Sequence, residues 1–387
     1  MRGRQRDGSI LRQPRGVWLF LAAVCLVSIA VHTAFALLYE PIPARDGSAR
    51  LLQAAADGAF KSYHPPLYIL FLRGVLAVAC GEGAAVAVVQ GIFPALAVLP
   101  LFILGAALGG TPAGLVAAAI GGLYPPFALA ALRTVPDAIG LLCVAILFAL
   151  LAAMPSSRKK AAWAAVVTAA AAHVAPLLLF LAPGVFAAMR RRFVYLGVLV
   201  LCLLPWSIRN TVVVGSPVPL YRGAGYALAA ENLLYEESRW EAVDAVYENA
   251  ARVFSKGWRG DIVGIDPARR HARYAAAYAF ILVLLLGMTA LITRMRRVYL
   301  APVLATAAYL VLSVVLTAFV TRYRYPLEVL LIPLAAQLLV AWYAAAARAI
   351  RARGLDSPAG ILERVRAAPR LLVSYARSVP GRLKDPG

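Results

Sequence analysis

The sequence predicts an all-α integral membrane protein, a bundle of about ten transmembrane helices with juxtamembrane helices on its outer side. Three observations carry this. Of 387 residues, 62% are hydrophobic and only 15% are charged, which gives a mean hydropathy of +0.77. Several apolar runs reach the ~20 residues that a spanning helix needs. The basic residues behind a net charge of +21 gather in short segments flanking those runs, the pattern that sets orientation in a bilayer and meets anionic headgroups. Backbone groups in hydrocarbon need internal partners, so a span is a helix or part of a closed barrel. The weak two-residue alternation argues against a barrel. No nucleic-acid module carries the positive charge, so nucleic acid is not an expected partner. Cys25, Cys80, Cys143 and Cys202 all lie in apolar runs without CxxC spacing and read as small core residues.

Five arginines and one aspartate precede the first run. The N-terminus, residues 1–16, is therefore expected in the cytoplasm, with span 1 (about 17–38) running outward. That run exceeds the 7–15 residues of a signal-peptide core, so it reads as an uncleaved span despite "AFA" at 34–36. Segment 65–82 opens on two prolines and contains Arg73. It reads as a juxtamembrane or re-entrant helix, which leaves 39–83 as one outer loop. Span 84–108 then runs inward, 112–131 outward and 137–153 inward, placing "SSRKK" in the cytoplasm. The stretch 161–189 lies between "RKK" and "RRR", both of which belong inside. Two short helices with a turn near His173, Ala175 and Pro176 satisfy both flanks. Spans 193–211, 274–293, 298–319 and 326–346 complete the ten, with further outer loops at about 132–136, 212–273 and 320–325. The tail, 347–387, carries nine basic and three acidic residues from Arg348 on and is expected inside, with no soluble C-terminal domain. Its "ILERVRAAPRLLVSYARSV" reads as a loosely ordered tail or an amphipathic helix on the inner leaflet.

This topology leaves Arg45, Arg50, Arg73, Arg133, Arg209, Arg222, Arg322 and Arg324 on the outer side, where the positive-inside rule does not put them. Arginines beside the bilayer there call for an anion at headgroup depth, and a guanidinium holds phosphate with two parallel hydrogen bonds. Two carboxylates share that face. Asp46 follows span 1 closely and suits a base or a metal ligand. Asp46 or Ser48 equally suits the N-cap of the helix expected over "SARLLQAAADGAF". Asp137, beside Pro136, opens span 4 and also fits a helix start. On the residues alone both pairs of readings stay open. In the 212–273 loop, "ESRWEAVDAVYENAARVFSKGWRG" repeats apolar residues at helical spacing, from Trp240 to Phe254. It reads as a helix packed on the bundle or as a lid.

A resemblance rests on these residues in order: Asp46 after span 1, "YHPPLY" at 63–68, "TVPD" at 134–137, "PWSIRN" at 205–210 followed by "VVGSPVPL", and "RYRYPL" at 322–327. The sequence resembles the multi-span GT-C glycosyltransferases that use a polyprenyl-phosphate sugar, a group that includes protein O-mannosyltransferases and the lipid A aminoarabinose transferase. The similarity runs over about 17–346. It implies a GT-C-like catalytic domain in the inner membrane, with both termini cytoplasmic and the active site facing outside. It implies Asp46 as the catalytic carboxylate with Asp137 in the same cavity. It also implies Arg322, Arg324 and Arg209 at the lipid phosphate, and Tyr63, His64 and His173 lining the cavity. A divalent cation, Mg or Mn, on Asp46 and Asp137 is left open. Gly47 stands where many relatives carry a second acidic residue, and His173 where they often carry Lys or Arg. The implied reaction moves a sugar to a hydroxyl of a lipid, glycan or protein acceptor, with inversion. A transporter or flippase of a lipid-linked anion, or an inactive scaffold, are the alternatives.

Overall fold

The computed structural model describes residues 13–38, 48–56, 65–79, 83–132, 135–214, 270–295, 297–316 and 324–352. Every regular element among them is helical. The chain divides into residues 1–338 and residues 339–387. In the second unit the described residues, 339–352, are helical.

Helix α1 (Arg15–Leu38) is the first expected span. It leaves Leu19, Leu26, Leu37 and Leu38 exposed, as a lipid-facing helix does. The helix expected over "SARLLQAAADGAF" forms as α2 (Ser48–Ala56), and the segment after the double proline as α3 (Pro66–Val78). Pro66 occupies the first turn of α3, where its missing N–H costs nothing. At 13 residues α3 falls short of a full crossing.

The expected span 84–108 is assembled from three helices, α4 (Gly83–Gln90), α5 (Ile92–Leu96) and α6 (Val98–Gly109). Gly110, at φ +79°, ends α6 in a conformation that favours glycine. The chain then returns as α7 (Thr111–Gly122). α6 and α7 lie backbone to backbone: a Cβ on Gly114 would stand 2.7 Å from the Phe102 carbonyl oxygen. Small residues at such crossings let membrane helices approach where no hydrophobic drive separates protein from lipid. The next expected span, 112–131, is not straight. α7 and α8 (Pro125–Ala131) meet at 46°, because Pro125 and Pro126 deny the joint its helical N–H groups.

α9 (Asp137–Ala153) begins at the residue expected to open span 4. Its C-terminus is closed by the basic turn: Lys160 Nζ donates to the carbonyls of Leu151 at 2.7 Å and Met154 at 2.9 Å. Ser157 Oγ caps the following helix by accepting from the Lys160 N–H at 3.1 Å. The stretch 161–189 folds as α10 (Arg158–Val174), a break at Ala175, a 3₁₀ segment (Pro176–Leu181) and α11 (Ala182–Ala188). The turn falls where the sequence predicts it, but half of the second limb is 3₁₀ and not α. The remaining helices are α12 (Arg192–Val214), α13 (Arg270–Arg294), α14 (Leu300–Leu316) and α15 (Tyr325–Ala352). The last outruns its expected span, since the Ala-rich "AAAARAIRA" carries strong helix propensity.

Among the described residues six helical stretches are long and apolar enough to cross a membrane, and seven with the bent α7–α8 pair. α3, α9 and the Pro176–Ala188 limb are shorter apolar helices. The main core runs through α6, α9, α10 and α15, where Leu101, Phe148, Ala165 and Leu331 are fully buried.

Candidate functional site

A cavity of about 430 Å³ opens between α3, the end of α10 and α12. Pro66, Leu67 and Leu70 form one wall, and Cys202, Pro205 and Trp206 the other; His173 and Arg209 supply the polar groups. The elements explain the opening. α3 starts late because of its prolines. α10 stops at Val174 before Pro176. Pro205 sits inside α12 and leaves the Leu201 carbonyl without its helical donor. The Arg209 guanidinium lies over the Trp206 ring at 4.7 Å and donates to Asn210 Oδ1 at 2.9 Å. These contacts hold it half-buried with a fixed aim, a geometry suited to an anion. His173 Nε2 meets the Cys202 carbonyl at 3.3 Å. A carbonyl only accepts, so that nitrogen carries the proton.

A second polar cluster is closed. Asp137 stands in the first turn of α9 and is 4% exposed. Tyr68 of α3 is close enough for that carboxylate to act on its phenol: burial first, and then Asp137, push the phenol well above its ordinary value. Tyr68 donates to Gln90 Oε1 at 3.0 Å, and Gln90 Nε2 donates to the Ala131 carbonyl at 3.2 Å. The chain of bonds ties α3, α4 and α8 together beside the start of α9.

The third cluster belongs to Arg324. It is 1% exposed and its Nε donates to Glu328 Oε1 at 2.8 Å, with Glu328 2% exposed. Its guanidinium carbon lies 3.6 Å from the Phe280 ring centroid. Tyr124, at the joint of α7 and α8, is within electrostatic reach of both charges.

Of the residues expected at the site, the structure thus brings Arg209 and His173 into one cavity and buries Asp137 and Arg324 in two polar clusters. Asp46, Tyr63, His64 and Arg322 lie outside the described residues, as does the 215–269 part of the long loop. Glu328, Tyr68, Gln90 and Trp206 were not expected as site residues. The Arg324–Glu328 pair had a readable signal, an i,i+4 spacing at a helix start. Among the described residues no group of three or more His, Cys, Asp or Glu side chains could hold a metal ion. Asp137 alone of the proposed cation pair lies among the described residues; Asp46 lies outside them.

No protein-family model matches the sequence, and neither does any curated protein. Solved structures do match. One is the crystal structure of ArnT from Cupriavidus metallidurans bound to undecaprenyl phosphate, at 13% identity and a TM-score of 0.57, over 96% of this chain and 67% of that one. Another is an Archaeoglobus fulgidus oligosaccharyltransferase tethered to an acceptor peptide containing the NVT sequon, at 13% identity and a TM-score of 0.52. It is matched over 93% of this chain and 54% of its own length, so the chain spans about half of it. ArnT is a lipid A aminoarabinose transferase, and both proteins are GT-C enzymes. The chain is an integral membrane protein with a GT-C-like helical fold. The likeness seen in the sequence motifs and the likeness in the fold point to the same group.

Proposed function

We propose that this chain is a membrane glycosyltransferase that moves a sugar from a polyprenyl-phosphate donor to an acceptor hydroxyl on the outer face. The observation that carries the reading is the Arg209 cavity. It offers a fixed guanidinium at one end of apolar walls, the complement of a lipid with an anionic head. The ten-span topology, with cytoplasmic termini and an outward site, belongs to this reading, since it puts Arg209, Asp137 and Arg324 at the same side.

The reaction follows from these parts. A carboxylate, Asp46, takes the proton of the acceptor hydroxyl. The acceptor oxygen forms its bond to the anomeric carbon, and the bond from that carbon to the phosphate oxygen breaks. The phosphate leaves with the electron pair, and Arg209 and Arg322 stabilise its charge. Arg209 lines the cavity while Arg324 is enclosed beside Glu328, which favours Arg209 as the first phosphate contact. Asp137 orients donor or acceptor hydroxyls. A single displacement inverts the anomeric centre.

The test uses membranes carrying the protein and a panel of radiolabelled polyprenyl-phosphate sugars, with release of polyprenyl phosphate as the readout. Wild type is expected to turn over one donor, and Asp46→Asn to lose about 10²-fold or more, as removal of a general base does. Full activity in Asp46→Asn removes the base assignment. Product of retained configuration removes the single displacement. A wild type that turns over nothing in the panel favours transport of a lipid-linked anion.

A further inference from the structure

The turn from α11 to α12 carries Arg190, Arg191 and Arg192 in a row, and all three are exposed. The turn is ordered. The Met189 N–H donates to the Phe186 carbonyl at 3.2 Å, and the Arg191 carbonyl accepts from the Val194 and Tyr195 N–H groups at 3.1 and 3.2 Å. Arg192 is aimed by aromatic rings. Its guanidinium carbon stands 5.5 Å from the centre of the Phe193 ring and 6.0 Å from that of Phe186, and those rings meet edge to face. Three adjacent cations repel one another unless a counter-charge meets them. The two carboxylates among the described residues, Asp137 and Glu328, are enclosed in the clusters described above, so neither meets them.

Exposed aromatics mark the depth of this turn. α10 and α12 run side by side in one direction: Tyr195 donates to Thr168 Oγ1 at 3.3 Å, and further along both helices the Cys202 carbonyl meets His173 Nε2. Trp163, five residues before Thr168, therefore lies level with the α11–α12 turn. It is 57% exposed, and Phe193 is 73% exposed. An exposed indole between an apolar span and a basic end belongs at the headgroup level of a bilayer.

We infer that the α11–α12 turn is a binding site for an anionic phospholipid, with Arg190, Arg191 and Arg192 on the phosphate and the Phe193 ring beside the upper acyl chains. Guanidiniums hold a phosphate by parallel hydrogen bonds, and basic residues at a membrane surface favour anionic lipid. Arg209 stands about 25 Å further along the same helix, at a rise of about 1.5 Å per residue. The site is therefore separate from the Arg209 cavity, at the other end of the α12 span, and takes no part in the transfer reaction.

The experiment titrates the full chain, purified in detergent, with dioctanoyl phosphatidylglycerol and reads bound lipid by native mass spectrometry. Wild type is expected to bind it in preference to dioctanoyl phosphatidylcholine. The triple variant Arg190→Gln, Arg191→Gln, Arg192→Gln is expected to bind about 10²-fold more weakly, since each arginine at an anionic surface contributes about fivefold. Phe193→Ala is expected to lose about fivefold, the worth of the stacked guanidinium. The pair Arg158→Gln, Lys159→Gln, which removes exposed cations from the start of α10, is expected to bind as wild type does. Glycerol phosphate, with the phosphate but no acyl chains, is expected not to compete at the lipid's own concentration. Should the triple variant not fold, Arg192→Gln decides alone, with about a fivefold loss. Full affinity in the triple variant, or equal affinity of wild type for the two lipids, overturns the inference. An equal loss in the Arg158 and Lys159 pair also overturns it, because the effect then belongs to basic charge at large. Competition by glycerol phosphate overturns the lipid in favour of a soluble phosphate ligand.

Discussion

Two arginines at helix ends of the same protein live in opposite surroundings. Arg209 is half-buried, stacked on Trp206 and anchored to Asn210, at the mouth of a cavity whose lining among the described residues carries no carboxylate. Arg324 is enclosed, with a carboxylate at 2.8 Å and an aromatic face at 3.6 Å. Both are predicted on the outer side of the membrane. The difference teaches that a cation's side of the bilayer does not set its role; its neighbours do. A guanidinium paired with a buried carboxylate braces the fold, and one stacked on an aromatic ring lines a cavity.

The contrast breaks most visibly at Arg324. Arg324→Ala leaves Glu328 buried without its counter-charge and is expected to cost about 3–5 kcal/mol, read as loss of melting temperature in detergent. Arg324→Met combined with Glu328→Leu should recover most of that loss, since an apolar pair replaces both charges. A stable Arg324→Ala variant that loses only donor binding would make Arg324 a ligand contact like Arg209. At the other pole, Arg209→Gln is expected to lower turnover about 10²-fold while stability changes by about 1 kcal/mol or less, the worth of its contact with Trp206. An unstable Arg209→Gln variant would erase the distinction. The smallest effect belongs to the closed cluster around Asp137. Tyr68→Phe leaves Gln90 short of a donor and should cost about 1 kcal/mol near neutral pH. The folded phenol sits above the ordinary value of 10.0, so its contribution is complete below pH 10 and fades as pH rises through the folded value. Denaturation curves of Tyr68→Phe should therefore lose part of the alkaline decline that wild type shows.

Much of this architecture was legible in the residues. The first span, the α2 helix, the short helix after Pro65 and Pro66, the start of α9 at Asp137 and the break at Ala175 all follow from local chemistry: apolar length, proline at first turns, and basic residues flanking apolar runs. The bend between α7 and α8 was readable too, in Pro125 and Pro126, but span length was the louder signal. The candidate site was legible by halves. Arg209, expected at the lipid phosphate, and His173, expected in the cavity lining, both line the opening beside α3 and α12. The walls that make it a cavity were not foreseen as such, because Leu67 and Leu70 stand more than a hundred residues from Trp206. Glu328 was within reach, as the fourth residue after an anomalous arginine. Nothing in a linear reading says that Tyr325 lies on Gly140.

By itself, then, the sequence determined which segments are helical, which are apolar enough for a bilayer, and where prolines and glycines interrupt them. Those properties depend on neighbours a few residues away. Only the tertiary structure decided that Arg324 is buried against Glu328 and Phe280, that Arg209 lines a cavity, and that the Tyr325 hydroxyl lies on Gly140. The energies concerned are of desolvation and close contact. They depend on which atoms meet across helices, and that is settled only when the helices pack.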